Sequence, residues 1–204
     1  MSIETGPSGV RAPKRERGKQ RVAELLAAAT AVFAEKGYEA ATMTEIAARA
    51  GAPIGSLYQF FPAKEMLADT LVQQYATLIA ADLEALEARA RAIGIEELIA
   101  GLFGLLRGHP QERAAALPLA ETRMDERTRR TTFRHMVRKH LAAILRARAP
   151  ELPAEKARDM SVVVLQLMKA ASALSDEEGL AGRTTGMLEL RGLARQYVED
   201  GLKG

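Results

Sequence analysis

The 204-residue sequence reads as all-α, with about nine helices. Three observations carry that reading. Ala, Leu, Glu and Arg, all strong helix formers, dominate the chain. Apolar residues recur at spacings of three and four rather than alternating, which is the period of a helix buried along one face. Glycine and proline fall between the periodic stretches, where they end helices and open turns.

Taken in order, residues 1–13 hold Gly6, Pro7, Ser8 and Gly9 and have the composition of a disordered leader. A first helix presents Val22, Leu25, Leu26, Ala29, Val32 and Phe33 on one side and stops at Gly37, where a left-handed cap requires glycine. Thr42 and Glu45 form a capping box that opens a short second helix ending at Gly51. Pro53 suits the first turn of a third helix running through Phe60, and Pro62 breaks it. A long helix follows from about Ala63 to Ala92 on a stripe of Leu67, Leu71, Tyr75, Leu78, Ala81, Leu83 and Leu86. Helices near 95–107, 111–122 (disturbed by Pro118), 125–148, 153–176 and 184–202 complete the chain.

The composition excludes several classes of function. There is no cysteine, hence no disulfide, zinc-thiolate site, iron–sulfur cluster or thiol nucleophile. Met1 to Pro13 lacks the apolar segment of a secretion signal, and no stretch approaches the roughly 18 apolar residues of a membrane span. A cytoplasmic protein without membrane association is therefore expected. His135 and His140 lie five apart, about 140° around a helix, so they do not point at one metal. No nucleophile elbow, phosphate-binding glycine loop with lysine, or His-Glu-x-x-His is present. Neither catalysis nor a cofactor is expected.

The net charge of +3 is small, but its distribution is uneven. Arg11, Lys14, Arg15, Arg17, Lys19 and Arg21 face only Glu16, and a second basic stretch runs from Arg123 to Arg148. The first run is either a DNA-binding arm or a solvated leader. The second either favours an anionic ligand or is a solvated face.

Residues 42–64 concentrate the functional signal. The second and third helices are each too short to be stable alone and must be held by the first. Ile46, Ala47 and Leu57 are placed to face inward, and Gly51 permits the sharp turn between them, which gives helix-turn-helix spacing. The outer face is then Pro53, Ile54, Gly55, Ser56 and Gln59, flanked by Tyr58, small or polar residues that suit close approach to a major groove. Ordinary bundles also contain such turns, so spacing alone leaves both readings open.

The residues themselves go further. The run Leu25-Leu26-x-Ala28-Ala29-x-x-x-Phe33-x-x-x-Gly37-Tyr38 is followed by Thr42-x-x-x-Ile46-Ala47-x-x-Ala50-Gly51-x-x-x-Gly55-x-Leu57-Tyr58-x-x-Phe61-x-x-Lys64-Glu65-x-Leu67. It resembles the N-terminal domain of TetR/AcrR-family transcriptional regulators. The resemblance implies a helix-turn-helix DNA-binding domain at 14–66 and a helical effector-binding and dimerisation domain at 67–204. By position it implies phosphate contacts from Thr42, Thr44, Tyr58 and Lys64, and base-edge contacts from Pro53, Ile54, Gly55, Ser56 and Gln59. Lys64 sits in a first helical turn, where the macrodipole disfavours a cation, and a phosphate would explain its placement; a solvated lysine is the alternative. Tyr58 has an alternative as a core aromatic. Phe60 stands where many family members have a residue able to bond a phosphate, and it faces either DNA or the core.

Ser161 to Leu174 is apolar on nearly every side and needs cover all round. The resemblance implies a homodimer built through the helices near 153–176 and 184–202, reading a palindromic operator in double-stranded DNA. It also implies an unidentified small-molecule effector, with Leu78, Phe103, Leu106, Leu117, Met124, Phe133, Met136, Val137 and Met168 as pocket lining, although each is explained as well by simple core packing. The expectation is a repressor released from its operator by that effector. A ligand-blind DNA-binding protein of the same fold is the alternative.

Overall fold

The computed structural model describes residues 14–105, 107–122, 128–177 and 179–203, of which 14, 15, 120–122 and 128–132 are described in backbone only. Among these residues there are nine helices and no strand: α1 Lys14–Ala40, α2 Met43–Arg49, α3 Ile54–Phe60, α4 Lys64–Arg89, α5 Ile95–Gly104, α6 Pro110–Thr122, α7 Thr128–Arg148, α8 Ala154–Asp176 and α9 Arg183–Lys203. The all-α reading holds. The leader, Leu106 and Met124 lie outside the described residues.

Local chemistry explains the boundaries. Helical geometry in α1 breaks at Gly37 (φ 75°, ψ 168°), a conformation that a Cβ disfavours, and one further turn carries Tyr38 to Ala40. The capping box of α2 is complete: the Thr42 hydroxyl accepts from the Glu45 N–H at 3.2 Å, and the Thr42 N–H donates to Glu45 Oε2 at 3.2 Å. Gly51 takes φ 59° at the turn into α3. Pro53 is the N-cap of α3 rather than its first helical residue, and its fixed φ of −58° serves there equally well.

The buried residues form two clusters. One joins Leu25, Ala29, Val32 and Phe33 of α1 with Ile46, Ala47, Leu57 and Phe61, and is closed by Leu67, Ala68 and Leu71 of α4 and by Ala115 and Leu119 of α6. The other joins Tyr75, Ile79, Leu83 and Leu86 of α4 with α5, α7, α8 and α9. Val72 packs against both. α4 is thus a beam shared by two cores, and α6 packs against α1 as well as α4.

Several polar links set the elements against one another. Arg113 of α6 donates to both oxygens of Asp176 (3.2 and 2.6 Å) and to Ser172, tying α6 to α8. Arg148 donates to the carbonyls of Ala90, Arg91 and Ile93 and so closes the exposed end of α4. Where α9 meets α8, a Cβ on Gly186 would lie 2.7 Å from Leu174 Cδ2, so the absent side chain lets the two helices close.

Candidate nucleic-acid interface

α2 and α3 are held on α1 by their apolar inner faces. Ile46 and Leu57 are fully buried and Ala47 nearly so, which makes the inner face the one expected from the spacing. Two ion pairs reinforce the contact: Arg49 donates to Glu35 through its two terminal guanidinium nitrogens (2.5 and 2.6 Å), and Lys36 meets Glu45. The Arg49 hydrogen bond holds the Glu35 carboxyl below its usual range, and the Lys36 hydrogen bond, followed by those from Thr42, does the same for Glu45. These pairs span nine and 14 positions in sequence, beyond any helical period, so periodicity carries no signal for them.

The outer surface follows from the same packing. Pro53, Ile54, Gly55, Tyr58 and Gln59 are exposed, Ser56 is half-buried, and Thr42 and Thr44 lie exposed at the start of α2. A Cβ on Gly55 would meet nothing within 4 Å, so this glycine leaves the start of α3 bare without any packing need for it. Phe60 also faces outward, 38% exposed, while the neighbouring Phe61, at 6%, fills the core position. The question left open for Phe60 is thereby answered: it does not pack inward. Tyr58, 48% exposed, is likewise no core aromatic.

Lys64 is placed otherwise than expected. Its Nζ donates to the carbonyls of Tyr38 (2.8 Å), Ala41 (2.9 Å) and Glu39 (3.4 Å), and it lies 4.2 Å from the centroid of the Tyr38 ring. An ammonium has three donors, and all three are engaged. The lysine is half-buried against the C-terminal end of α1, where a cation is favoured, and no phosphate is needed to explain it.

The expected effector-lining residues divide between two environments. Leu78, Phe133 and Met136 border an open groove of about 1080 Å³ with Ala23, Leu26 and Thr30 of α1 and Glu112 of α6. Phe103, Val137 and Met168 are buried in the second core, with Leu117 packed against it, and they are not among the residues that border this groove. The participation of α1 was not foreseen, because periodicity assigns its apolar stripe to the core without showing which edge stays open. Tyr75 stacks on Phe133 (5.9 Å between centroids, 22°), and burial pushes its phenol pKa up. Among the described residues no group of His, Asp or Glu is arranged to hold a metal ion, and no helix is long and apolar enough to cross a membrane.

Residues 25–71, which contain α2, α3 and Lys64 but not most of the groove, match the family described as bacterial regulatory proteins, tetR family. The match is confined to this N-terminal region of the chain. Over 55 residues the chain is 46% identical to the HTH-type transcriptional repressor KstR2 of Mycobacterium tuberculosis, a stretch that covers 27% of this chain and 28% of that protein. Beyond the domain the likeness to TetR-family proteins is one of fold. A TetR/AcrR-type transcriptional regulator from Aquifex aeolicus superposes with a TM-score of 0.64 at 18% identity, covering 86% of this chain and 98% of that one. The multidrug binding protein EbrR, solved with imidazole, superposes at 0.61 with 20% identity, covering 89% and 94%. The matched family is one of bacterial regulatory proteins, and the chain spans little more than a quarter of the curated relative it matches.

Proposed function

We propose that the protein is a homodimeric, sequence-specific repressor that leaves a palindromic operator when a small-molecule effector binds. The observation that carries this reading is the outward face of α3: exposed Pro53, Ile54, Gly55, Tyr58 and Gln59 on a helix whose other side is anchored by fully buried Leu57. Such a face can lie against base edges in a major groove, with Ser56 and Gln59 offering hydrogen bonds and Ile54 apolar contact to thymine methyls. In this reading the exposed Thr44 and Tyr58 hydroxyls serve as neutral phosphate donors at the rim, and Thr42, whose hydroxyl donates to Glu45 Oε2 at 3.1 Å in the free chain, joins them by turning its proton outward.

Dimerisation is supported by the outer faces of the last two helices. Val162 (41% exposed) and Val163 on α8, and Leu188 and Leu193 on α9, are large apolar side chains left in water by the single chain. A second copy covering them would give the molecule two reading helices, as a palindrome with half-sites roughly one turn of B-DNA, about 34 Å, apart requires. Effector control is supported by the groove beside α4, the helix whose first residue is Lys64. To lower operator affinity about a hundredfold, a ligand there must favour the non-binding state by roughly 2.7 kcal/mol. The names of KstR2, a repressor, and of EbrR, a multidrug binding protein, fit the same reading.

Selection of bound fragments from a random duplex library at fixed, near-physiological salt tests the proposal. Enrichment of a palindrome with half-sites about one helical turn apart is the expected result, and release of that DNA by members of a small-molecule library would establish effector control. Uniform recovery without a motif would overturn sequence-specific regulation. A motif that no small molecule displaces would favour the ligand-blind alternative.

A further inference from the structure

Among the described residues, half-buried arginines are, with two exceptions, paired at their guanidinium ends. Arg21, Arg113 and Arg195 meet carboxylates, and Arg148, Arg183 and Arg191 meet main-chain carbonyls. The exceptions are Arg134 and Arg138, one turn apart on α7. Arg138 donates only through Nε, to the Arg134 carbonyl at 3.3 Å, and among the described residues no carboxylate reaches either guanidinium. Both border a cavity of about 170 Å³ in the seam between α7 and α8, and Lys169 borders it from the other side, also without an acidic partner. Val162, Leu165 and Gln166 also line it, so among the described residues three cationic side chains share one small space with an apolar wall, an amide and no acid.

Like charges held together repel, and they repel more strongly in a recess than in open water. A guanidinium is also a planar fork of donors matched to tetrahedral or carboxylate oxygens, and two such forks with an ammonium provide more donors than a singly charged group can use. The volume is that of roughly five or six water molecules, enough for a phosphoryl group and little more. We propose that this cavity is a binding site for the phosphoryl group of a small phosphate ester, with Arg134, Arg138 and Lys169 holding the oxygens. Gln166 donates a further hydrogen bond, and the ester's organic part lies against Leu165, Val162 being on the face given to the proposed dimer. The site is separate from the groove beside α1 and α4 and does not depend on the DNA-binding reading. It lies between α8, on which the proposed dimer rests, and α7, which packs on α4.

Isothermal titration of the full-length protein with inorganic phosphate and with pyrophosphate, at low chloride, tests this. One saturable site per protomer is expected, with pyrophosphate the tighter ligand. The double variant Arg134→Gln/Arg138→Gln should lose at least tenfold in affinity, while Arg146→Gln/Arg158→Gln, which removes the same charge from exposed positions on the same two helices, should bind as the parent does. Gln166→Glu leaves the arginines intact and introduces an anion of its own, and it too should lose binding. Non-saturating heats, or equal losses in the site variant and the charge-matched control, would overturn the proposal. So would a parent that is dimeric and a site variant that is monomeric by sedimentation, because the missing counter-charge would then be a carboxylate of the second copy.

Discussion

The Lys64 ammonium caps the end of α1: it is 2.8 Å from the Tyr38 carbonyl, 2.9 Å from that of Ala41, and 4.2 Å from the centre of the Tyr38 ring. This fixes the first residue of α4 to the last turn of α1, and with it the frame into which α2 and α3 are set. Lys64→Gln should therefore weaken operator binding while leaving the dependence on salt unchanged. A phosphate contact in each half-site would instead lower the slope of log K against log salt by about two for a dimer. Loss of the charged hydrogen bonds is expected to cost about 1.5 to 3 kcal/mol of stability, read by urea unfolding. A reduced slope would return Lys64 to the phosphate contacts.

Gly55 separates stability from DNA reading. Space is open around its Cα, so Gly55→Ala should be neutral or stabilise the fold by up to about 1 kcal/mol. The added methyl stands on the face offered to DNA. Operator affinity should fall by at least an order of magnitude while thermal stability holds or rises, and unchanged affinity would place the DNA elsewhere.

Thr42→Ala removes the N-cap of a helix only seven residues long. The expected cost is about 1 kcal/mol in urea unfolding, recovered by Thr42→Ser, which keeps the hydroxyl. If binding falls by no more than stability does, Thr42 is a cap alone; a larger loss in binding makes it a phosphate donor as well.

Acid should loosen the link between α6 and α8. The Arg113 hydrogen bond holds the Asp176 carboxyl below its ordinary value of 3.8. The folded state therefore takes up protons less readily than the unfolded one, so this pair's stabilisation is present above the unfolded value and is lost as pH falls through the folded one. Stability measured by urea unfolding should decline below about pH 4 more steeply in the parent than in Asp176→Asn. Parallel curves would show that the pair contributes nothing measurable.

Leu193, 55% exposed, is the test of the proposed dimer. Leu193→Asp should give a monomer by sedimentation and reduce operator affinity at least a hundredfold, with helicity unchanged. A variant that remains dimeric would move the interface away from this face of α9.

The helices and the inner face of the reading head were legible because each rests on local periodicity and caps: the Thr42–Glu45 box, the breaks at Gly37 and Gly51, the burial of Ile46 and Leu57. Lys64 and the open groove were not. The partners of Lys64 are 23 to 26 residues away, and they are main-chain carbonyls, which carry no sequence label. Phe60 and Phe61 are adjacent and chemically identical, and only the exit angle of α3 decides which is buried. In the same way, Leu78 and Val137 are both apolar residues at helical spacing, yet one borders the groove and the other is sealed in the core.

The sharing of α4 between two cores has a consequence for how the molecule comes apart. Leu67, Ala68 and Leu71 belong to one core and Tyr75, Ile79 and Leu83 to the other, on a single uninterrupted helix. Opening the reading head strips one end of α4 while the other end stays clamped, so its backbone amides should be protected from solvent exchange longer than those of α2 and α3. A fragment cut before Leu67 would leave α1 to α3 without a lid over Ile46 and Leu57. Such a fragment should therefore unfold at lower urea than the same segment in the full chain, its cooperativity of folding borrowed from the helices that follow it.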